Sequence, residues 1–267
     1  KGLTTFRPNN ELGSVIIVDD GKEVAQKMAP LMDESDPDRR VRLQQLPSTV
    51  MGSMRWLDRP HMPAGNDSYT YMVENSQGDF AVMVGHYVNG VTHPFEVWIN
   101  GAEAPRGLGA VAKTLSADMR TYDRGWLELK LQALRKCSGE TVEVAMPPTG
   151  QIQMVPSVVS AFAQIVHYHA EKVGWLNSEG DTSLVDAMMF RKEPKAGPEG
   201  TLSWTVSVKN PATGDDFELF VKELDLPDGS HRPYSVWMAG DFPAAYNGLC
   251  KLLSFDMRIV DPAWIGM

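Results

Sequence analysis

The pattern of apolar and polar residues occurs twice along this chain. Residues 93–101 read His-Pro-Phe-Glu-Val-Trp-Ile-Asn-Gly and residues 232–240 read Arg-Pro-Tyr-Ser-Val-Trp-Met-Ala-Gly, so the two segments align at an offset of 139. After a gap of one residue in the alignment the match continues, and Asp118-Met119-Arg120 aligns with Asp256-Met257-Arg258. Self-similarity at a fixed offset is typical of a repeated structural unit. We therefore predict a unit of about seventy residues that is present in two copies.

Upstream of the matched segment, the pattern in each copy predicts two further strands. In the first copy, residues 69–74 alternate, and an apolar run over residues 80–87 ends at the turn Asn89-Gly90. An Asn-Gly pair between apolar runs is a strong signal for a β-hairpin. The second copy repeats this arrangement over residues 203–226, before Pro227-Asp228-Gly229. We therefore expect three antiparallel strands in each copy.

A helix is predicted after the strands of each copy. Apolar residues recur at helical spacing over residues 108–119 and again over residues 246–257. Asp123 and Asp261 are then predicted to be the N-caps of a further helix in each copy. In the second copy the sequence reaches Met267 only a few residues into that helix. We therefore expect the natural protein to continue beyond this residue.

These elements predict an α+β fold of two tandem three-stranded antiparallel sheets with helices and a helical connector. We divide the chain into an N-terminal extension at 1–65, the first copy at 66–137, the connector at 138–199 and a truncated second copy at 200–267. An amphipathic stretch at 156–173 supplies the connector's helix.

Composition and charge narrow the classes of partner. The 267 residues include 34 acids and 25 bases, for a net charge of −9. Such a charge argues against binding a nucleic-acid backbone or an anionic membrane surface, and no apolar run reaches the roughly 20 residues that span a bilayer. The two cysteines, Cys137 and Cys250, are too far apart in the sequence for a redox pair within one segment. This sparse use of cysteine predicts a reducing, cytoplasmic location.

Few motifs with catalytic chemistry are present. Residues 107–112, Gly-Leu-Gly-Ala-Val-Ala, match a dinucleotide fingerprint, but hairpins surround them in place of the βαβ unit that the fingerprint requires. Helix entry and close packing are the favoured interpretation, and a nucleotide-binding enzyme is kept as an alternative. His167 and His169 lie on different sides of a predicted helix, and we expect the histidines at the surface or at strand edges rather than at a metal. We predict no catalytic residue and no metal site.

Four charged residues recur on the predicted helices at equivalent positions in the two copies: Asp118, Arg120, Asp256 and Arg258. Salt bridges between the copies at the helix ends are the favoured explanation, and contact with a partner protein is the functional alternative. The equivalent residues Trp98 and Trp237 are predicted first as core aromatics and second as interface anchors.

Several segments resemble a known enzyme family. Residues 1–9, Lys-Gly-Leu-Thr-Thr-Phe-Arg-Pro-Asn, and the following Gly13-Ser14-Val15 are similar to the segment that closes the catalytic region of adenosylcobalamin-dependent (class II) ribonucleotide reductases. Asp58-Arg59-Pro60 and the strand at 94–99 resemble the domain that follows that region. Residues 233–267 resemble a further stretch of the C-terminal region in proteobacterial forms, some of which are split into two polypeptides.

The resemblance implies an accessory subunit or C-terminal portion of such a reductase, supporting the reduction of ribonucleotides to deoxyribonucleotides for DNA synthesis. The family's catalytic residues belong to a barrel that this sequence does not contain, so none is carried over. Adenosylcobalamin would be bound in the holoenzyme and not by this chain. We expect the catalytic polypeptide to be contacted by an N-terminal strip that includes Leu3, Phe6, Arg7 and Asn9. A free-standing protein-binding or ligand-binding regulatory module is the alternative.

Overall fold

The structure is a computed structural model, and it describes residues 55–56, 59–121, 124–176, 200–225 and 229–259. The strip from Leu3 to Asn9 and the predicted N-caps Asp123 and Asp261 lie outside these ranges. The elements in chain order are β1 Ser68–Val73, β2 Phe80–Val88, β3 Thr92–Asn100, α1 Leu108–Met119, α2 Arg124–Arg135, β4 Val142–Met146, β5 Gln151–Val155, α3 Val158–Lys172, β6 Ser203–Asn210, β7 Asp215–Asp225, β8 His231–Asp241 and α4 Tyr246–Met257.

The α+β prediction with two tandem three-stranded sheets is confirmed. One antiparallel sheet has the order β1-β2-β3, and the other has the order β6-β7-β8. A third, two-stranded sheet, β4-β5, lies in the stretch that we predicted as a helical connector. This hairpin was not predicted, because each of its strands has only five residues, too few to show a clear alternation.

The two large sheets repeat the same irregularity in the same place. A β-bulge shifts the register between Gly85 and His86 of β2, with Phe95 of β3 as the extra residue, and another shifts it between Lys222 and Glu223 of β7, with Tyr234 of β8 as the extra residue. In each case the residue after the bulge pairs with a proline of the repeated motif, since His86 faces Pro94 and Glu223 faces Pro233. Proline cannot donate to the ladder, so a bulge directly after it in the same strand is a favourable arrangement. The duplication therefore extends to the register of the strands.

A serine joins the helix of each copy to its sheet. The Ser116 hydroxyl accepts a 2.9 Å hydrogen bond from the backbone N–H of Val97, and the Ser254 hydroxyl accepts one of 3.0 Å from the N–H of Val236. Each hydroxyl also lies within hydrogen-bonding distance of the helix carbonyl four residues earlier, at 2.8 Å and 2.7 Å respectively. These bonds satisfy buried backbone groups where α1 packs on β3 and α4 packs on β8.

The glycine-rich loop before α1 is a packing contact between the two copies. Gly107 has a φ of +86°, and a Cβ added to it would lie 2.5 Å from the Tyr246 ring at the start of α4. The Tyr246 ring therefore occupies the space in front of this glycine, where a dinucleotide phosphate would have to approach. This geometry supports the packing interpretation of residues 107–112.

Gly107→Ala is expected to lower the free energy of unfolding by about 2–4 kcal/mol, because it combines a strained φ with a clash against Tyr246. Gly65 is a matched control, since its φ is +85° and nothing lies within 4 Å of an added Cβ. Gly65→Ala should therefore cost only about 1–2 kcal/mol. Urea unfolding of both variants tests the difference, and equal losses would show that Tyr246 is not in tight contact.

Candidate functional site

A fully buried lysine connects the helices of the two copies. Lys130 extends from α2, and its Nζ lies 2.6 Å from Asp118 Oδ1 of α1 and 2.5 Å from Asp256 Oδ1 of α4. The Trp126 indole N–H donates a 2.8 Å hydrogen bond to the same Asp118 oxygen, and the ammonium lies 4.6 Å from the centre of the Trp126 ring. We call Lys130, Asp118 and Asp256 the ion triad.

The ion triad has unusual electrostatics because it is removed from water. Burial, reinforced by the charge of Asp256, raises the pKa of Asp118 to about 7, although Lys130 and Trp126 act in the opposite direction. Burial alone would lower the pKa of Lys130, but the two carboxylates outweigh it and hold that pKa above its ordinary value. Lys130 therefore remains a cation, and Asp118 titrates near neutral pH.

The four recurring charged residues separate into two groups. Asp118 and Asp256 are buried and share Lys130, which accords with the favoured explanation of ion pairing between the copies and leaves neither carboxylate at the surface. Arg120 and Arg258 cap the C-terminal ends of α1 and α4 and are half-buried. The contact with a partner protein that we predicted for these arginines stays a prediction.

Lys130 is the residue that the sequence analysis missed. The duplicated motif contains the two carboxylates but not this lysine, and no prediction was made for the charged residues of α2. The signal was present in the spacing, because Lys130 follows Leu127 by three residues and precedes Leu134 by four. A lysine in the middle of an apolar helical stripe indicates a buried cation that needs carboxylate partners.

A second polar cluster lies between the first sheet and α3. His169 of α3 is buried, and its Nε2 lies 2.5 Å from Nε2 of His86 in β2, while its Nδ1 lies 2.7 Å from the Tyr71 hydroxyl. The two imidazole planes differ by only 13° and their centres are 4.7 Å apart. The distance between the ring centres is close to the Nε2–Nε2 distance plus two ring radii, so the two rings meet edge to edge at their Nε2 atoms.

The location predicted for the histidines is wrong for His86 and His169, which are buried away from the strand ends. His93 is also buried, but it lies at the start of β3, as predicted. The prediction that His167 and His169 lie on different sides of the helix is confirmed, since His167 Nε2 lies 2.9 Å from the Glu128 carboxylate and His169 faces His86. Helical periodicity separates the two side chains, but only packing shows which of them faces the sheet.

The histidine cluster is neutral at physiological pH. Burial lowers the pKa of His169 to about 4 and also lowers the pKa of His86. Burial likewise raises the pKa of Tyr71 to about 12, with the neighbouring Tyr168 and Tyr69 adding to the effect. None of these groups changes charge near neutrality, so the cluster forms a hydrogen-bond network that joins α3 to β1 and β2.

The two cysteines approach one another between the copies. Cys137 is buried after the end of α2, and burial raises the pKa of its thiol. Burial and the nearby Cys137 raise the pKa of Cys250 in α4 to about 11. Both thiols therefore stay protonated at neutral pH, which makes them poor nucleophiles. In the part of the chain that the structure describes, no three His, Cys, Asp or Glu side chains come together as a metal site.

The first prediction for Trp98 and Trp237, a place in the core, is wrong. Trp98 is 54% exposed and Trp237 is 53% exposed, on the faces of the two sheets that point away from α1 and α4. Their neighbours Val97 and Val236 are buried beneath the helices, and alternation along the strand turns each tryptophan to the opposite side. We call these two surfaces the outer faces.

No protein-family model, curated protein or solved structure matches this chain. Among the helices that the structure describes, none is both long and apolar enough to cross a bilayer.

Proposed function

We propose that this chain is a non-catalytic accessory portion of an adenosylcobalamin-dependent ribonucleotide reductase, and that it holds the catalytic polypeptide through its outer faces. The observation that supports this proposal is the exposure of two equivalent tryptophans, Trp98 and Trp237. Tryptophan is enriched at the energetic centres of protein interfaces, and in folded proteins it is highly buried on average. The duplicated unit therefore presents two similar docking patches.

Each tryptophan has neighbours of a kind that protein interfaces use. Trp98 is paired across the sheet with Met83, and the nearby Met72 is 58% exposed. Trp237 is paired with Phe220, and the Lys222 ammonium lies 5.3 Å from the centre of its ring. Aromatic side chains and methionine are more frequent in interface cores than on other surfaces. The two patches are similar in their central tryptophan and differ in the surrounding residues.

The interior of the molecule supports a structural role. The charged groups of the ion triad and the imidazoles of the histidine cluster are buried where a ribonucleotide could not reach them. Both sets join helices to helices or helices to sheet. In this proposal they make the duplicated unit rigid, and the reductase chemistry, the cobalamin and the radical belong to the catalytic polypeptide, with which this chain acts in the cytoplasm.

The identity of the partner rests on the resemblance of residues 1–9, 58–60, 94–99 and 233–267 to the reductase family. Trp98 lies inside one of these segments and Trp237 inside another. The proposed docking patches therefore belong to the most reductase-like parts of the chain. The N-terminal strip from Leu3 to Asn9 is proposed as an additional contact.

Trp98→Ser and Trp237→Ser are each expected to weaken co-purification with a class II reductase catalytic polypeptide at least tenfold, because the centre of one patch is lost. Ile152→Ser is a matched control, since Ile152 is 72% exposed but lies on β5. Deoxyribonucleotide formation, assayed with adenosylcobalamin and a thiol, should require the catalytic polypeptide and fall in parallel with binding. Unchanged binding of both tryptophan variants, or turnover by this chain alone, would exclude the proposal.

A further inference from the structure

The inner face of the first sheet, which points towards the helices, is covered by two helices. α1 packs over β3, as the bond between Ser116 and Val97 shows. α3 lies over β1 and β2, where the His169 ring is 5.2 Å from the Tyr69 ring and is hydrogen-bonded to Tyr71. The connector thus provides a second helix over this sheet, beneath which Tyr71 is half-buried and Tyr69 stays 46% exposed.

In the second sheet, the structure describes only one of these two helices. α4 packs over β8 as α1 packs over β3. The strand register aligns Tyr69 with Trp204 and Tyr71 with Val206. Trp204 is 64% exposed and Val206 is 49% exposed, and within residues 200–225 and 229–259 no helix lies over them.

The uncovered residues form a continuous apolar surface. Trp204 and Val206 of β6 and Leu202, one residue before the strand, are exposed at alternate positions on one side, and Leu219 and Val221 of β7 are half-buried beside them. We call these five residues the β6 face. A run of large exposed apolar side chains on one sheet face typically marks a site that another element covers.

We infer that the β6 face docks an amphipathic α-helix of a partner protein, in the position that α3 occupies on the first sheet. The first copy is the basis for this inference, because α3 lies over the residues of the first sheet that are equivalent to the β6 face. The surface lies on the opposite side of the sheet from Trp237, so the inference does not depend on the proposed function.

The residues that replace the histidine cluster define the chemistry of the docking helix. On the first sheet, His169 faces the Tyr71 hydroxyl and His86. On the second sheet the positions of Tyr71 and His86 hold Val206 and Glu223, so the hydroxyl is replaced by an apolar group and the imidazole by a carboxylate. The helix that fits this face therefore has an apolar stripe with one cation, arginine or lysine, at the position of His169.

A peptide with the sequence of residues 157–174 and the substitution His169→Arg is a direct probe of the β6 face. We expect fluorescence anisotropy to show saturable binding to the whole chain, at least tenfold tighter than that of the same peptide with His169→Glu, which would place two carboxylates together. Glu223→Gln in the chain should reduce this preference to less than threefold.

The variant Val206→Asp should weaken binding of the arginine peptide at least tenfold, whereas Ile152→Asp, on the exposed face of β5, should leave it unchanged. Circular dichroism confirms that each variant is folded. Trp98→Ser and Trp237→Ser should retain peptide binding. A failure of this inference can therefore be told apart from a failure of the proposed function.

Three results would overturn the inference. The first is the absence of saturable binding by the arginine peptide. The second is binding that survives Val206→Asp in a folded chain, which would mean that the peptide enters elsewhere, for example by displacing α3. The third is a dimer in sedimentation experiments that Val206→Asp converts to a monomer, because a second copy of the chain would then be the occupant.

Discussion

Lys130→Met is expected to lower the free energy of unfolding by about 3–5 kcal/mol, the largest effect of any single substitution that we predict. The substitution leaves Asp118 and Asp256 facing each other in the interior without their shared cation. An isolated buried charge is far more costly than a buried ion pair. The variant therefore loses more free energy of unfolding than the net contribution of the ion triad. A fall of about 10 °C in the melting temperature should accompany this loss.

Lys113→Met is the matched control for this prediction. Lys113 lies on the exposed side of α1, so its loss should change the free energy of unfolding by less than about 0.5 kcal/mol. Adding Asp118→Asn and Asp256→Asn to Lys130→Met should recover part of the stability, because the unpaired charges are removed. If the Lys130→Met variant were as stable as the wild type in urea unfolding, this would contradict the prediction that the ion triad stabilises the fold.

Stability is expected to fall between pH 6.5 and pH 4 because buried imidazoles must become charged. The pKa of His169 is about 4 in the folded chain and 6.5 when unperturbed, so the unfolded chain binds more protons in this interval. His169 thus adds stability that is complete above pH 6.5 and is lost as the pH falls towards 4, by about 3 kcal/mol. His93, whose pKa burial also lowers to about 4, acts in the same direction.

His169→Gln should reduce the loss of unfolding free energy between pH 6.5 and pH 4 by about 3 kcal/mol. The exposed His61 provides the control, because His61→Gln should leave the slope unchanged. Asp118 acts in the opposite direction: its raised pKa adds stability at acid pH that declines as the pH rises from about 4 towards 7. Chemical unfolding at a series of pH values tests these signs, and parallel profiles for wild type and His169→Gln would contradict the role of the histidine cluster.

The duplicated sheets could be predicted because their signals are local. The alternation over residues 69–74 and the turn at Asn89-Gly90 depend on neighbours a few positions away, and the structure has β1 and the β2–β3 hairpin there. The helical stripe over residues 108–119 matches the bounds of α1. The short β4-β5 hairpin escaped prediction because strands of five residues hold too few repeats.

The candidate sites were only partly predictable. The repeat analysis selected Asp118 and Asp256, which are two of the three members of the ion triad. Their partner Lys130 is 12 residues from Asp118 and 126 residues from Asp256 along the chain, so no local pattern relates all three. The same holds for His86 and His169, which are 83 residues apart.

The sequence by itself determined that a three-stranded unit with a helix occurs twice and, away from the bulges, which residues of a strand share one side. Only the tertiary structure decided which of those sides is covered. Trp98 and Val97 follow the same alternation, yet Val97 is buried by α1 and Trp98 is exposed. The physical reason is that periodicity arises from backbone geometry within one element, whereas burial and ion pairing depend on elements that meet across long stretches of chain.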